Sequence, residues 1–238
     1  MPPEIVVDKP AGLAEALASR FETEGLLAQA ARGRFAVALP GGSFATVFFP
    51  RLARLPFDWG RTEFFWGDER GVAAIHPESN YGLARSLWLE PAEVPTECVH
   101  RMEADAADLE AAATAYSVEL VRVLGARPRL DLAMLGVGPD GHVCSLFPGH
   151  PLLEERRRWV APIVDAPKPP PRRLTLTLPM LAAAELVVIA ALGRAKAGVI
   201  REALEEPTSS LPLAMVLRGA RRALVLVDPD AGNRLAAG

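Results

Sequence analysis

Cysteine is scarce in this chain: Cys98 and Cys144 are the only two in 238 residues. Two thiols make no disulfide framework, so a reduced cytoplasm is the expected compartment. Lysine is nearly as rare. Lys9, Lys168 and Lys196 are the only ones, and arginine carries almost all the basic charge. Neither sign of charge is in excess, and a net charge of −3 gives no polyelectrolyte field to hold nucleic acid. No apolar run reaches the roughly 18 residues that a membrane helix needs. The opening MPPEIVVDKPAG lacks the basic-then-apolar layout of a signal peptide. Neither nucleic acid nor membrane is therefore expected as a partner. Several catalytic signatures are missing too. Ser145 has no G-x-S-x-G context, and no G-x-x-x-x-G-K-[ST] phosphate loop is present. His76, His100, His142 and His150 stand at no metal-ligand spacing with either cysteine, so no metal is expected.

What is present is ample apolar material, 50% of residues, with 23% charged, enough for a sizeable core. Short β-rich runs alternate with longer segments of helical period. Strands are expected at residues 5–7, 35–39, 62–66 and 130–135, then in WVAPIV, RLTLTL, LVVIAAL and ALVLVD. Helices are expected over 11–31, from the PGGS turn to Leu52, over 80–87, 108–124, about 179–184 and 194–204. GDERGVAAIHPES reads as a polar loop and EERRR, residues 154–158, as a solvated helix face. DAPKPPP, residues 165–171, reads as a rigid loop because strands resume at once beyond it. Strands separated by helices predict βαβ units and a mostly parallel sheet covered on both faces, in one α/β domain over residues 1–238.

In such sheets, ligands bind beyond the carboxyl ends of the strands. Three polar loops fall there: PGGS, GDER and GVGPDGH. The last contains a literal G-x-G-x-x-G at Gly136, Gly138 and Gly141. A dinucleotide turn needs an uninterrupted helix after its glycines, with the pyrophosphate at the helix N-terminus. Here Pro148, Gly149 and Pro151 follow within ten residues. Asp165 stands where a ribose-binding acid would. The competing reading takes the side chains that the fingerprint ignores, with Asp140 and His142 facing one cavity and the imidazole serving acid–base chemistry. PGGS places Gly41, Gly42 and Ser43 at a helix start, where free N–H groups and the dipole attract an anion, or where Ser43 simply caps the helix. In GDER, Arg70 can grip phosphate bidentately and Asp68 can orient a base or bind substrate hydroxyls. A solvated local ion pair is the plainer alternative.

Taken together, the blocks ALPGGSFA, FFWGDERGVAAIHPESNYGLAR, LDLAMLGVGPDGHVCSLFPGH, DAPKPPPRRLTLTLPMLAAAE and LGRAKAGVI resemble the 6-phosphogluconolactonase family, which is related to glucosamine-6-phosphate deaminase. They occur in the family's order over about residues 37–200. One departure lies in the first block. The family reads close to S-G-G-S-T-P, whereas here Pro40 precedes the glycines and Phe44 and Ala45 follow Ser43. Backbone phosphate contacts survive that change, and a threonine hydroxyl contact does not.

The resemblance implies a Rossmann-like three-layer α/β/α fold of the NagB/RpiA type. It implies hydrolysis of 6-phospho-D-glucono-1,5-lactone without cofactor, by a monomer or weak dimer. It gives His142 the role of base that activates water and then protonates the leaving alkoxide. Asp140 holds the imidazole or a sugar hydroxyl, and Asp68 lines the same site. Gly41, Gly42, Ser43 and Arg70, with one or more of Lys168, Arg173 and Lys196, hold the phosphate. A sugar-phosphate deaminase or isomerase of the same fold reads DGHxAFNEP, with a glutamate where this chain has Phe147, which cannot move a proton. A dinucleotide-dependent oxidoreductase and a sugar-phosphate-binding regulator without catalysis are the other readings.

Overall fold

The computed structural model describes residues 2–235. Strand β1 (Glu4–Val7) leads through α1 (Pro10–Arg32) to β2 (Phe35–Leu39), which turns directly into α2 (Gly42–Leu52). β3 (Thr62–Trp66) is followed by a short β4 (Asp68–Arg70) and by α3 (Asn80–Ala84), which widens into a π turn over Arg85–Leu89. After α4 (Leu109–Leu124) come β5 (Leu132–Gly136), β6 (Val160–Ile163) and β7 (Arg173–Leu176). The chain ends with α5 (Leu178–Ala183), β8 (Leu186–Ala191), α6 (Ala197–Glu205), α7 (Pro212–Gly219) and β9 (Ala223–Val227).

Six strands form one sheet in the order β1-β9-β8-β5-β2-β3, and every neighbouring pair is parallel. Helices flank this sheet, as the alternation of strand and helix predicts. β2 and β8 are buried at every position and read as unbroken apolar runs, which strands covered on both faces require. β1 sits at the edge, and Glu4, Ile5 and Val7 are exposed. The chain leaves β2 in one direction to β3 and resumes at β5 on β2's other side. The topological switch therefore lies between β2 and β5, so the PGGS and GVGPDGH loops flank it. Below them, Phe21, Trp88, Phe49 and Phe64 interlock, with Trp88 centroids 5.3, 5.1 and 5.3 Å from the other three. Each such pair contributes about 0.5–1.5 kcal/mol beyond its area burial.

Four features differ from the sequence expectations. GDER is not a loop: Asp68, Glu69 and Arg70 form β4, in a second, antiparallel sheet of order β4-β7-β6. Gly67 is the crossing point, since its N–H donates to Leu39 of the main sheet and its carbonyl accepts from Leu176 of the small one. A three-residue polar strand has no apolar alternation, and its partner Thr175 is more than a hundred residues away, so no local signal marks it. EERRR is not a helix face: Glu154 ends a short 3-10 turn, Pro151–Glu154, and residues 155–158 are irregular. Glu155 folds its carboxylate onto the backbone N–H groups of Arg156, Arg157 and Arg158, offering them a local acceptor that competes with helical pairing. The helix expected over 194–204 begins as a single tight turn, Arg194–Lys196, before α6. Helix α7 was not expected, because PLAMVLRG is short and mostly apolar and does not separate from a strand by period. DAPKPPP is a loop as expected, closed by an Ala166 N–H to Pro171 carbonyl bond of 3.1 Å. No helix among the described residues is long and apolar enough to cross a membrane.

Candidate active site

The carboxyl ends of β2 and β5 open into a cleft of about 140 Å³. Its wall includes Gly41, Gly42, Ser43, Asp68, Arg70, Asn80, His142, Arg173 and Lys196. On one side stands the N-terminus of α2. Gly42 sits at φ 60° and no side chain caps this helix, so Ser43 is not the N-cap and the first-turn N–H groups face the cleft. Gly41 passes so close to Asn80 that any Cβ there would overlap the Asn80 carboxamide.

Strand alternation sorts GDER. Asp68 and Arg70, two residues apart, both reach the cleft, and Glu69 points the other way. Glu69 is buried and accepts from Arg70 N (2.7 Å), Asn80 N (2.8 Å), Tyr81 N (2.8 Å) and Ser79 Oγ (3.0 Å). It thereby closes the start of α3. Burial pushes its carboxyl pKa up against those four bonds. Asp68 is also buried, 6% exposed. Ser145 Oγ donates to its Oδ2 at 2.6 Å, and Asn80 Nδ2 donates to its carbonyl at 2.8 Å. Arg70 Nη1 is held by the Glu78 carbonyl at 2.7 Å.

Across the cleft, the GVGPDGH loop is a tight reversal rather than a helix start. Gly138 N–H donates to the His142 carbonyl at 2.9 Å, Gly141 N–H to Gly138 at 3.0 Å, and Val137 bridges Val143. Gly141 takes φ 82°, which an L side chain resists. After it the chain turns through residues 143–150, with no helical N-terminus for a pyrophosphate. The reversal lays the His142 ring over Gly138, where a Cβ would collide with both the ring and Asp140. Gly138→Ala is expected to displace His142 and lower turnover on the order of 10²-fold, since an ångström of misplacement has that effect. A steady-state assay with a thermal melt checks this, and unchanged turnover would refute it.

His142 Nδ1 lies 2.5 Å from Asp140 Oδ1, and Lys168 Nζ lies 2.9 Å from Asp140 Oδ2. The carboxylate therefore bridges the lysine and the imidazole. Asp140 and Lys168 are not part of the cleft wall and act on it through His142. Burial opposes ionisation of Asp140, yet the Lys168 and His142 bonds pull its pKa down to about 2. Burial pushes His142 below the ordinary histidine value, against the bond and charge of Asp140 and with the help of Lys168. With Nδ1 bound to a carboxylate, the ring holds its proton there and presents Nε2 as a base. Lys196 lines the cleft at the start of α6, its pKa pushed down by burial against the pull of Asp228.

Arg173, on β7, is 5% exposed. Its Nε and Nη2 donate to the carbonyls of Pro170, Lys168 and Pro169, and Nη1 approaches Ser145 Oγ at 3.4 Å. Sequence reasoning missed Ser145 and Asn80, which fix Asp68. The NY of HPESNY was part of a quoted block, but nothing in it signals a contact with Asp68. Cys144 lines the cleft with its thiol pushed well up by burial, in keeping with a packing role. No group of three or more potential metal ligands occurs among the described residues.

A family model described as glucosamine-6-phosphate isomerases/6-phosphogluconolactonase matches residues 8–225. A 6-phosphogluconolactonase of Rattus norvegicus is 46% identical over 192 residues, covering 78% of this chain and 74% of that protein. A 6-phosphogluconolactonase of Streptomyces coelicolor is 39% identical over 247 residues, covering 98% and 95% respectively. Among solved structures, the 6-phosphogluconolactonase of Trypanosoma brucei superposes with a TM-score of 0.87 at 27% identity, covering 98% of this chain and 99% of that one. The chain belongs to the glucosamine-6-phosphate isomerase/6-phosphogluconolactonase family, on its 6-phosphogluconolactonase side.

Proposed function

We propose that the chain hydrolyses 6-phospho-D-glucono-1,5-lactone to 6-phospho-D-gluconate with His142 as the base. The observation that carries the mechanism is the Lys168–Asp140–His142 relay, which ends on a cleft wall facing the uncapped N-terminus of α2. A phosphate at the Gly41–Gly42–Ser43 turn meets free N–H groups and the positive end of the helix, with Lys196 and Arg70 lining the same cleft. The lactone carbonyl then extends toward His142. Nε2 takes a proton from water, the water oxygen bonds to the carbonyl carbon, and the tetrahedral oxyanion forms. The bond to the ring oxygen breaks as the imidazolium returns its proton to that alkoxide. The new carboxylic acid ionises to solvent. Each step uses side chains of this chain and water.

Asp68, held by Ser145 and Asn80, is a fixed acceptor for a sugar hydroxyl. Phe147 speaks against the deaminase chemistry of the same fold. Its ring lies 4.9 Å from His142, and it carries no proton where that chemistry uses a glutamate. The two thiols are unpaired, which suits work in the cytoplasm. One chain supplies every group named, so the monomer is competent in this reading. The test is direct. Glucose-6-phosphate dehydrogenase generates fresh lactone, and its decay is followed with and without this protein. Accelerated decay is expected. Decay at the spontaneous rate would refute the reading.

A further inference from the structure

Four of the seven residues of DAPKPPP are prolines, Pro167, Pro169, Pro170 and Pro171, and none of them has a backbone N–H. Their segment cannot hold itself together by a ladder of its own backbone bonds. One such bond closes it, from Ala166 N to the Pro171 carbonyl. Three successive carbonyls, those of Lys168, Pro169 and Pro170, instead converge on a single side chain outside the loop. Arg173 Nη2 donates to Lys168 O at 3.0 Å and to Pro169 O at 3.2 Å, and Nε donates to Pro170 O at 2.9 Å. The other end of the guanidinium faces Ser145 Oγ at 3.4 Å and Asp68 Oδ2 at 3.9 Å. Its Cζ lies 5.6 Å from the centroid of Phe147, whose ring is 4.9 Å from that of His142.

With the lactonase reading as its basis, we propose that Arg173 is a positioning residue that acts through Lys168: its planar fork fixes the proline turn that sets Lys168 against the Asp140–His142 pair. Nε and Nη2 are engaged on carbonyls, so only Nη1 is turned toward the cleft, where Ser145 and Asp68 already face it. Lys168 is the one residue of the turn that touches the relay, through Asp140 at 2.9 Å and His142 Nδ1 at 3.3 Å. A long lysine side chain has many rotamers, and placing its backbone is what lets one of them dominate. Arginine suits the task and lysine does not. A guanidinium offers donors in a rigid fork, whereas an ammonium is a compact point charge.

The test uses the full chain in four forms, Arg173→Lys, Arg173→Met, Lys168→Met and the Arg173→Met/Lys168→Met double variant, with two readouts. The first is kcat/KM for the lactone, where Arg173→Met is expected to lose about 10- to 100-fold. In the Lys168→Met background the same change is expected to lose less than about 3-fold, because residues acting through one group are not additive. The second is the NMR titration of the His142 imidazole in ligand-free protein. Displacing the Lys168 cation from beside Nδ1 raises the midpoint, so Lys168→Met and Arg173→Met shift it the same way. Arg173→Lys keeps the charge beside Asp68 and loses the fork, and it is expected to shift the midpoint too.

Multiplicative losses, or an unmoved His142 midpoint in a folded Arg173 variant, would overturn the inference and leave Arg173 a purely structural residue. If Arg173→Met does not fold, Arg173→Lys decides alone, and wild-type behaviour of that variant overturns the inference. If the wild-type chain does not hydrolyse the lactone, the functional reading fails, while the substrate-free titration still decides the role of Arg173.

Discussion

His142→Ala lowers kcat/KM for the lactone by about 10²- to 10⁴-fold, the range supplied by a positioned general base. The fold survives the change. Among the described residues, the His142 side chain donates to Asp140 alone, with the Lys168 ammonium beside it at 3.3 Å, and the reversal that carries it is closed by its backbone carbonyl, which alanine keeps. Binding of the product 6-phosphogluconate, measured by calorimetry, stays close to wild type, because the α2 N-terminus, Arg70 and Lys196 lie on other elements. This split separates the base from a structural residue, whose loss would weaken binding and melting temperature together. The lactone opens slowly by itself in water, so rates are read above that floor. Wild-type-like turnover in the variant would remove His142 from the mechanism.

How much of this was legible beforehand depended on whether the signal was local. The strands of the main sheet were visible because β2, β3, β5, β8 and β9 are short apolar runs between turn residues, and a parallel sheet covered on both faces demands such runs. His142 and Asp140 were visible because their loop brings them together within three residues. Asp68 and Arg70, read as site residues on a loop, line the cleft from β4 instead. Their strand exists only because β7, far along the chain, pairs with it. The supports were harder to see for the same reason. Ser145 reaches Asp68 across 77 positions, and Asn80 reaches it across 12. Arg173 was one of three cations, with Lys168 and Lys196, that the family resemblance offered for the phosphate. No local signal in the sequence marks the three carbonyls that arrive at its fork. Glu69 illustrates the reverse. It is as acidic as Asp68 and adjacent to it, but strand alternation turns it away from the cleft to close α3.

Asp140→Asn lowers kcat by about 10²- to 10⁴-fold with the fold unchanged, and the reason lies in counting acceptors. The carboxylate meets two donors with two oxygens: Oδ2 takes Lys168 at 2.9 Å, and Oδ1 takes His142 Nδ1–H at 2.5 Å. An asparagine offers one oxygen and one NH2 group. The ammonium of Lys168 has no lone pair to accept with, so it claims the oxygen. The NH2 then faces Nδ1, which must accept, and the ring proton moves to Nε2. A base that already carries its proton cannot take one from water. The pH profile follows with a definite sign. In the wild type, His142 titrates below the ordinary histidine value, so kcat/KM falls on the acid side only below that value. Asp140, with a pKa of about 2, stays ionised throughout. Removing its charge takes away the main influence that raises the His142 pKa, so the acid limb of the residual activity moves to still lower pH. A variant whose acid limb moves upward, or whose kcat stays within threefold of wild type, would show that the Asp140 carboxylate does not set the tautomer of His142.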